Sequence, residues 1–508
     1  MSNTIPIPIF IAVPLTFAFL LPIFGKKAKA LTTVLANIAT IALLVLAILV
    51  VKNGQAGVYE VGKWSIPLGI NLVLDGLSSL MLLTISVVSF SAMLFSVKYM
   101  EQYTAKPKFF SLFLLMVAGM NGVVLSGDIF NLFVFLEIAS IASYALVGFG
   151  CEHEELEASF KYMVLGSVAS LFVLLAVALV YGNTGSLNMA YISKAIEASP
   201  NNLGLNFALA LFIAGFALKA ALVPFHAWLP DAHPSAPAPI SAMLSGVLIK
   251  ALGIYAIARI VFNVFGTSIQ IGWTLLALGV VSMIVGALLA IGQWDLKRLL
   301  AYSSISQIGY VVTGIGLGAL LLAQNQPPAW AALAILGGLF HLANHAVYKS
   351  LLFLASGSVQ MATGTRQLKE MGGLAQTMPI TRTTCTIASA SIAGIPPFSG
   401  FWSKLILVIA AAKAHFFWLA AVIVFVSVMT IIMYLKVQRY AFLGETPEKL
   451  KNIKENKGSM CLAMVFLASL SALMGLLLLV PSLKAAVLDP AVNALTQGLE
   501  YANNIIGI

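Results

Sequence analysis

Long apolar runs separated by short polar interruptions extend from one end of the chain to the other. Each run reaches the roughly 20 residues that a helix needs to cross a bilayer core of about 30 Å. They fall at 4–24, 30–51, 72–97, 109–126, 128–149, 156–181, 205–225, 237–264, 270–292, 299–323, 330–356, 377–411, 416–440 and 459–480, about fourteen spans. The runs are continuous, whereas barrel strands alternate apolar and polar residues in short segments, so a β-barrel does not fit. The pattern predicts an all-α polytopic membrane protein. The first run has no basic segment before it and a second run follows at once, so it reads as a retained helix and not a cleaved signal.

Ionisable residues interrupt this pattern inside the spans. Glu137 lies near the middle of "NLFVFLEIASIASYALVG", Lys219 in "LFIAGFALKAALVPFHAWLP" and Lys250 in "SAMLSGVLIKALGIYAIAR". His341, His345 and Lys349 lie in "HLANHAVYKSLLF", and Lys404 closes "SIAGIPPFSGFWSK". A lysine at a helix centre costs about 2.5–3.5 kcal/mol on insertion scales, so this set implies a polar interior and not lipid exposure. One acid among several lysines is a poor lock, because an unpaired buried charge destabilises. A buried lysine that can shed its proton is a proton carrier. Arg259 and Lys161 lie toward span ends and read as side chains that snorkel to the interface. His341, His345 and Lys349 follow at i, i+4 and i+8, which places them along one helical face as a hydrogen-bonded relay or a satisfied core set. Zinc and haem fit this stretch less well: there is no glutamate in the motif, no third ligand, and both histidines share one helix.

Prolines interrupt two of the lysine-bearing spans. Pro224 follows Lys219, while Pro396 and Pro397 precede Lys404. Proline removes a backbone donor and ends a helix, and broken helices at membrane depth are tolerated where they line a wet cavity. The breaks fall in the seventh and twelfth spans, five apart. Because five is odd, the repeats they mark would be inverted. The expected division is 1–108 as N-terminal helices, 109–266 as a first inverted repeat, 267–443 as a second, and 444–508 as a cytoplasmic loop, last helix and tail.

Composition agrees with membrane residence. Of the 508 residues 60% are hydrophobic and only 9% charged, against roughly 25% charged in soluble domains. The net charge of +10 does not point to nucleic acid, because the basic residues alternate by loop. Lys26, Lys27 and Lys29, then Lys98, Lys106 and Lys108, then Lys297 and Arg298, then Arg366 and Lys369, occupy odd loops. Lys436, Arg439, Lys449, Lys451, Lys454 and Lys457 follow the thirteenth span, while the even loops hold Lys52, Lys63, Lys194 and Lys413. The positive-inside rule makes the odd loops cytoplasmic and puts both termini outside. The acidic "CEHEELEAS" after the fifth span departs from that trend, but carboxylates weigh little in the rule and suit the start of a helix. Cys151, Cys385 and Cys461 share no close spacing and suggest neither disulfides nor zinc. Phosphate-binding glycine motifs are absent from the sequence.

These motifs resemble the antiporter-like subunits of respiratory complex I, of membrane-bound group 4 hydrogenases and of Mrp-type sodium/proton antiporters. The resemblance rests on "LDGLSSLMLLTI" at 74–85, "GDIFNLFVFLEIASIASYALVG" at 127–148 and "KAALVPFHAWLPDAHPSAPAPISAMLSGVLIKALGIYAIAR" at 219–259. "WDLKRLLAYSSISQIGY" at 294–310, "FHLANHAVYKSLLFL" at 340–354 and "GIPPFSGFWSK" at 394–404 extend it. It implies that Glu137 pairs with Lys219 of a broken helix and that Lys250 is a central lysine. It implies further that His341 and His345 bridge two half-channels and that Lys404 is a terminal carrier, where the family places lysine or glutamate.

The resulting expectation is a proton-translocating subunit of a multisubunit complex in a prokaryotic cytoplasmic membrane. Its partners would be other membrane subunits, lipid, protons and, in one alternative, sodium. It would have no active site and no cofactor of its own, any redox or hydrogenase chemistry belonging to partner subunits. The alternative is a sodium/proton antiporter subunit with no redox partner. A membrane enzyme using His341 and His345 would need a substrate-binding loop domain, which the sequence lacks, and a passive scaffold would not need the lysines.

Overall fold

A computed structural model describes residues 4–25, 29–199, 202–456 and 458–507. Lys26, Lys27 and Lys457 of the basic loops lie outside the described residues, as does the Lys29 side chain. Eleven of the described helices are individually long and apolar enough to cross a membrane. The shorter α1 (Ile9–Gly25) adds a twelfth traverse. Two helices broken in mid-membrane complete the expected fourteen.

The traverses of the first half are α2 (Lys29–Lys52), α3 (Gly76–Tyr99), α4 (Lys106–Leu125), α5 (Ile129–Val147) and α6 (His153–Thr184). The broken traverse is α8 (Leu203–Lys219) followed by the short α9 (Leu229–Ser235), preceded by a surface helix α7 (Met189–Ala198). Next come α10 (Ala238–Val264), α11 (Ile269–Gly292), α12 (Leu296–Ala323) and α13 (Pro328–Thr363). A second broken traverse, α14 (Pro379–Ala393) and α15 (Ser399–Lys413), precedes α16 (Phe417–Phe442) and α17 (Ser459–Leu479). Each run of five, α4 to α10 and α11 to α16, has its break in the fourth traverse.

Three features depart from the apolar pattern. Residues 71–74 form a strand, not the start of a helix: β2 (Asn71–Leu74) pairs antiparallel with β1 (Gly57–Glu60), Gly57 opposite Leu74. Asp75 then caps α3 through the Ser78 amide. Two further helices, α18 (Pro481–Thr496) and α19 (Glu500–Ile506), follow the last traverse. Arg259 does not snorkel outward but is buried, 1% exposed. Its guanidinium meets Asp75 through two contacts, Nη1 to Oδ2 at 2.7 Å and Nη2 to Oδ1 at 2.9 Å, and packs over the Tyr501 ring of α19 at 4.9 Å. Asn263, one turn on, donates to the Ala494 and Gly498 carbonyls. A buried charge without a partner is costly, so this pair fixes the end of α10 against α3 and the C-terminal helices. Lys161 does stay exposed, beside Glu157 at 2.8 Å and Asp231 at 3.3 Å.

Helix contact inside the bilayer depends on small residues, since lipid offers no hydrophobic penalty to drive association. Gly272, Gly279 and Gly286 recur every seventh residue along α11. A Cβ at these positions would lie 2.5–2.8 Å from backbone atoms of Leu320, Thr313 and Ser306 on α12. Gly309 and Gly316 of α12 answer with the same closeness to Met283 and Leu276. This seam starts the second repeat. Gly279→Leu is therefore expected to force the helices apart and cost about 3 kcal/mol or more, seen as a melting temperature several degrees lower. Val281→Leu on the exposed side of the same helix should leave melting unchanged.

Candidate functional site

Both breaks are built the same way. α8 ends where the Ala221 amide donates to Leu218 and the Leu222 amide to Ala217. α14 ends where the Gly394 amide donates to Ser391 and the Ile395 amide to Ala390. Each is a Schellman closure with a left-handed residue, Ala221 at φ +55 and Gly394 at φ +79. The helices thus stop before Pro224 and Pro396, and the prolines keep them from resuming. In each break a side chain also donates to a carbonyl of the closing turn. Trp228 Nε1 donates to Leu218 at 3.0 Å, and Lys404 Nζ donates to Ile392 at 2.8 Å. Val223 N is held by the Ser282 hydroxyl of α11 at 2.9 Å, which ties the first break to the second repeat.

Lys219 is the last residue of α8 and its side chain is 3% exposed. The ammonium donates to Ser140 Oγ at 2.9 Å and Tyr144 Oη at 3.2 Å, and lies 3.6 Å from Glu137 Oε1. Ser170 of α6 donates to the same Glu137 oxygen. At this separation and an effective dielectric near 20 the Coulomb attraction is on the order of 4 kcal/mol before desolvation is charged against it. Glu137 is not deep inside the bundle: its side chain is 27% exposed, on the helix face that also exposes Val134 and Ile141.

Lys250 lies in a stretch of α10 wound as π-helix, Leu244–Leu248 and Lys250–Tyr255. Such wide turns are frequent at functional sites. The fully buried ammonium donates to the Ser245 and Gly246 carbonyls of its own helix, at 2.5 and 2.6 Å. The π-helix also touches the first break, because a Cβ on Gly253 would strike Ala220, the residue after Lys219.

α13 carries His341, His345 and Lys349, all fully buried. They do not form the continuous hydrogen-bonded relay that their spacing suggested. His341 Nδ1 pairs with Ser403 at 2.9 Å and Nε2 with Gln307 at 3.2 Å. Lys349 Nζ donates to Tyr434 Oη at 3.2 Å. Neither ring nitrogen of His345 has a hydrogen-bond partner among the described residues. The three meet different neighbours, and no hydrogen bond among the described residues joins one to the next. Lys404 itself, 5% exposed, adds Ser427 at 3.1 Å to its carbonyl partner and sits over the Tyr310 ring at 5.1 Å. Its ammonium faces the C-terminal end of α14, where a helix dipole favours positive charge.

Sequence reading missed the hydroxyl and amide partners. Ser140, Tyr144, Ser170, Gln307, Ser403, Ser427 and Tyr434 look like ordinary members of apolar helices, and no charge marks them. It also read Lys297 as a loop cation. That residue is 2% exposed and donates to the Ala236 carbonyl at 2.8 Å, beneath a surface network in which Arg366 joins Asp295 at 3.2 Å and Glu154 at 3.6 Å.

A helical bundle with two broken helices and a set of buried lysines and histidines defines an antiporter-like membrane subunit. The comparisons agree. Residues 126–430 match the family described as NADH:quinone oxidoreductase/Mrp antiporter, transmembrane. Residues 60–110 match the complex I chain 5 N-terminus. The chain belongs to this family. It is 36% identical over 480 residues to the D-type subunit of the Na(+)/H(+) antiporter of Alkalihalophilus pseudofirmus, covering 94% of each chain. To the N-type subunit of the NADH-quinone oxidoreductase of Desulforudis audaxviator it is 35% identical, covering 87% of this chain and 86% of that one. A chain of the Mrp complex from Dietzia sp. DQ12-45-1b superposes with TM-score 0.88 at 30% identity, covering 99% of both.

Glu137→Gln removes the carboxylate beside Lys219 while keeping shape and the Ser170 contact. Ion transport by the reconstituted native assembly is expected to fall at least tenfold, with the assembly still recovered intact by size-exclusion chromatography.

Proposed function

We propose that this chain carries protons across the membrane as one subunit of a multisubunit complex, along Glu137, Lys219, Lys250, His345, Lys349, His341 and Lys404. The observation that carries this reading is the row of buried cationic and imidazole groups running through both repeats, with one carboxylate at its edge. In this reading Glu137 holds the proton on Lys219. Weakening that pair, by a movement in a neighbouring subunit, frees the proton toward Lys250 and the histidines, and Lys404 hands it on. Gaps between the groups are bridged by water or by the swing of a lysine side chain. A sodium ion on this axis would meet like charge, so the proton is the species that this chain conducts. If sodium is exchanged, as the names of the Mrp-type relatives suggest, its path lies elsewhere in the complex. The driving step, redox or ion exchange, belongs to partner subunits.

Lys250 provides the test. A buried lysine can give up its proton, whereas arginine stays charged at any accessible pH. Lys250→Arg and Lys250→Ala should both lose proton uptake at least tenfold in reconstituted assemblies that still form. A fully active Lys250→Arg would mean that Lys250 shapes the field but never releases its proton.

The membrane is read as the prokaryotic cytoplasmic membrane, with the basic odd loops inside and both termini outside. A cysteine replacing Lys451 should then react with a membrane-impermeant maleimide only after cells are opened. Labelling of intact cells would reverse the direction of the path.

A further inference from the structure

The junction between the two repeats is not closed. Between α8 and the start of α11 lies an open crevice of about 800 Å³. Its polar lining gathers toward the end where both helices begin, at Ser199, Asn206, Thr267, Ser268 and Gln270, with Thr274 one turn further along α11. Deeper, the walls turn apolar, with Leu209, Ile213 and Ala214 on α8 and Leu278 on α11. Its floor is Ala217, two residues before Lys219, and Phe225 of the break itself. No charged residue is among the residues that line it. From residue 205 to residue 217 a helix rises roughly 18 Å, close to the half-thickness, about 15 Å, of a 30 Å hydrocarbon core. The volume lies inside the range, about 300–1,000 Å³, of sites that enclose small amphiphilic molecules.

We infer that this crevice is a binding site for one acyl chain of a membrane phospholipid. The chain enters from the leaflet in which α8 begins, with its ester and headgroup at the Asn206, Ser268 and Gln270 rim. Three features favour this occupant over water or a protein segment. The gradient from polar rim to apolar floor follows the chemistry of a lipid from glycerol to methyl end. The depth matches one leaflet and not two. Ala210 on α8 and Thr274 on α11, midway along the crevice, are exposed, which opens it to the flank of the bundle where acyl chains are the solvent. Water is a poor filler, because the apolar walls below the rim offer too few of the polar partners that a buried water needs. The chain would lie against Ala217 and Phe225, so it would brace the unwound segment 220–228 from the side opposite Ser140 and Tyr144. It would also keep bulk water from the flank of Lys219.

The test places a nitroxide in the crevice. Ala214→Cys, and separately Leu278→Cys on the facing wall, are made in the full chain with Cys151, Cys385 and Cys461 replaced by serine. Each is spin-labelled and its native assembly purified into nanodiscs of a single synthetic phosphatidylcholine, free of quinone. Power-saturation EPR then compares collision with molecular oxygen, which concentrates in hydrocarbon, and with a water-soluble nickel chelate. The expected result at both positions is high oxygen accessibility, low nickel accessibility, and quenching by a phospholipid spin probe labelled near the chain end. High nickel accessibility would overturn the inference in favour of a water-filled inlet. Low accessibility to both reagents would overturn it in favour of a protein segment packed in the crevice. Two independent walls keep the answer available if one labelled variant does not assemble.

Discussion

Everything in this protein depends on keeping ammonium groups charged or chargeable inside hydrocarbon. Lys219, Lys250, Lys349, Lys404, His341 and His345 are buried to 5% exposure or less, and one carboxylate, Glu137, stands near them. Full pairing would have made a rigid ionic core, and no pairing would have excluded the charges altogether. The protein uses weaker and more numerous partners: hydroxyls for Lys219 and Lys349, and backbone carbonyls for Lys250 and Lys404. Such partners offset part of the desolvation cost without holding the proton in place. That balance is what a conducting group requires.

The carbonyls come from faults in helices. An unbroken α-helix engages each carbonyl with its own amides, leaving only a second lone pair for a side chain. The end of α14 presents the Ile392 carbonyl, and the π-wound turns of α10 present those of Ser245 and Gly246. Lys404 and Lys250 take them. The breaks and the charges are therefore one device, and deleting either would strand the other. Rigid elements frame it: the glycine seam between α11 and α12, and the Arg259–Asp75 pair that anchors α10 under the C-terminal helices.

The Glu137–Lys219 pair stands apart from the rest of the row. It is the only place on the row where a carboxylate meets a lysine among the described residues, and its acid reaches the side of the bundle. A neighbouring subunit could act on Glu137 directly, without any signal passing through the packed interior. Family membership gives this position a natural setting, since the Mrp-type and NADH-quinone oxidoreductase relatives are themselves subunits of larger assemblies.

The sequence by itself determined the class of the molecule. Apolar runs longer than a bilayer is thick can fold only as membrane helices, and prolines beside lysines in the seventh and twelfth spans mark where two of them fail. The seven candidate residues were legible because a charge in hydrocarbon is costly enough to stand out against any apolar background. What the tertiary structure decided was whom each of them meets. Ser140, Gln307, Ser403 and Tyr434 carry no charge, and a hydroxyl on a membrane helix has no signature until another helix faces it. The direction of Arg259 could not be read either, because its partner Asp75 is 184 residues away and the chain between them returns several times. The relay that spacing suggested along α13 failed for the same reason. Helical periodicity tells which side chains share a face, but only packing tells what stands opposite them.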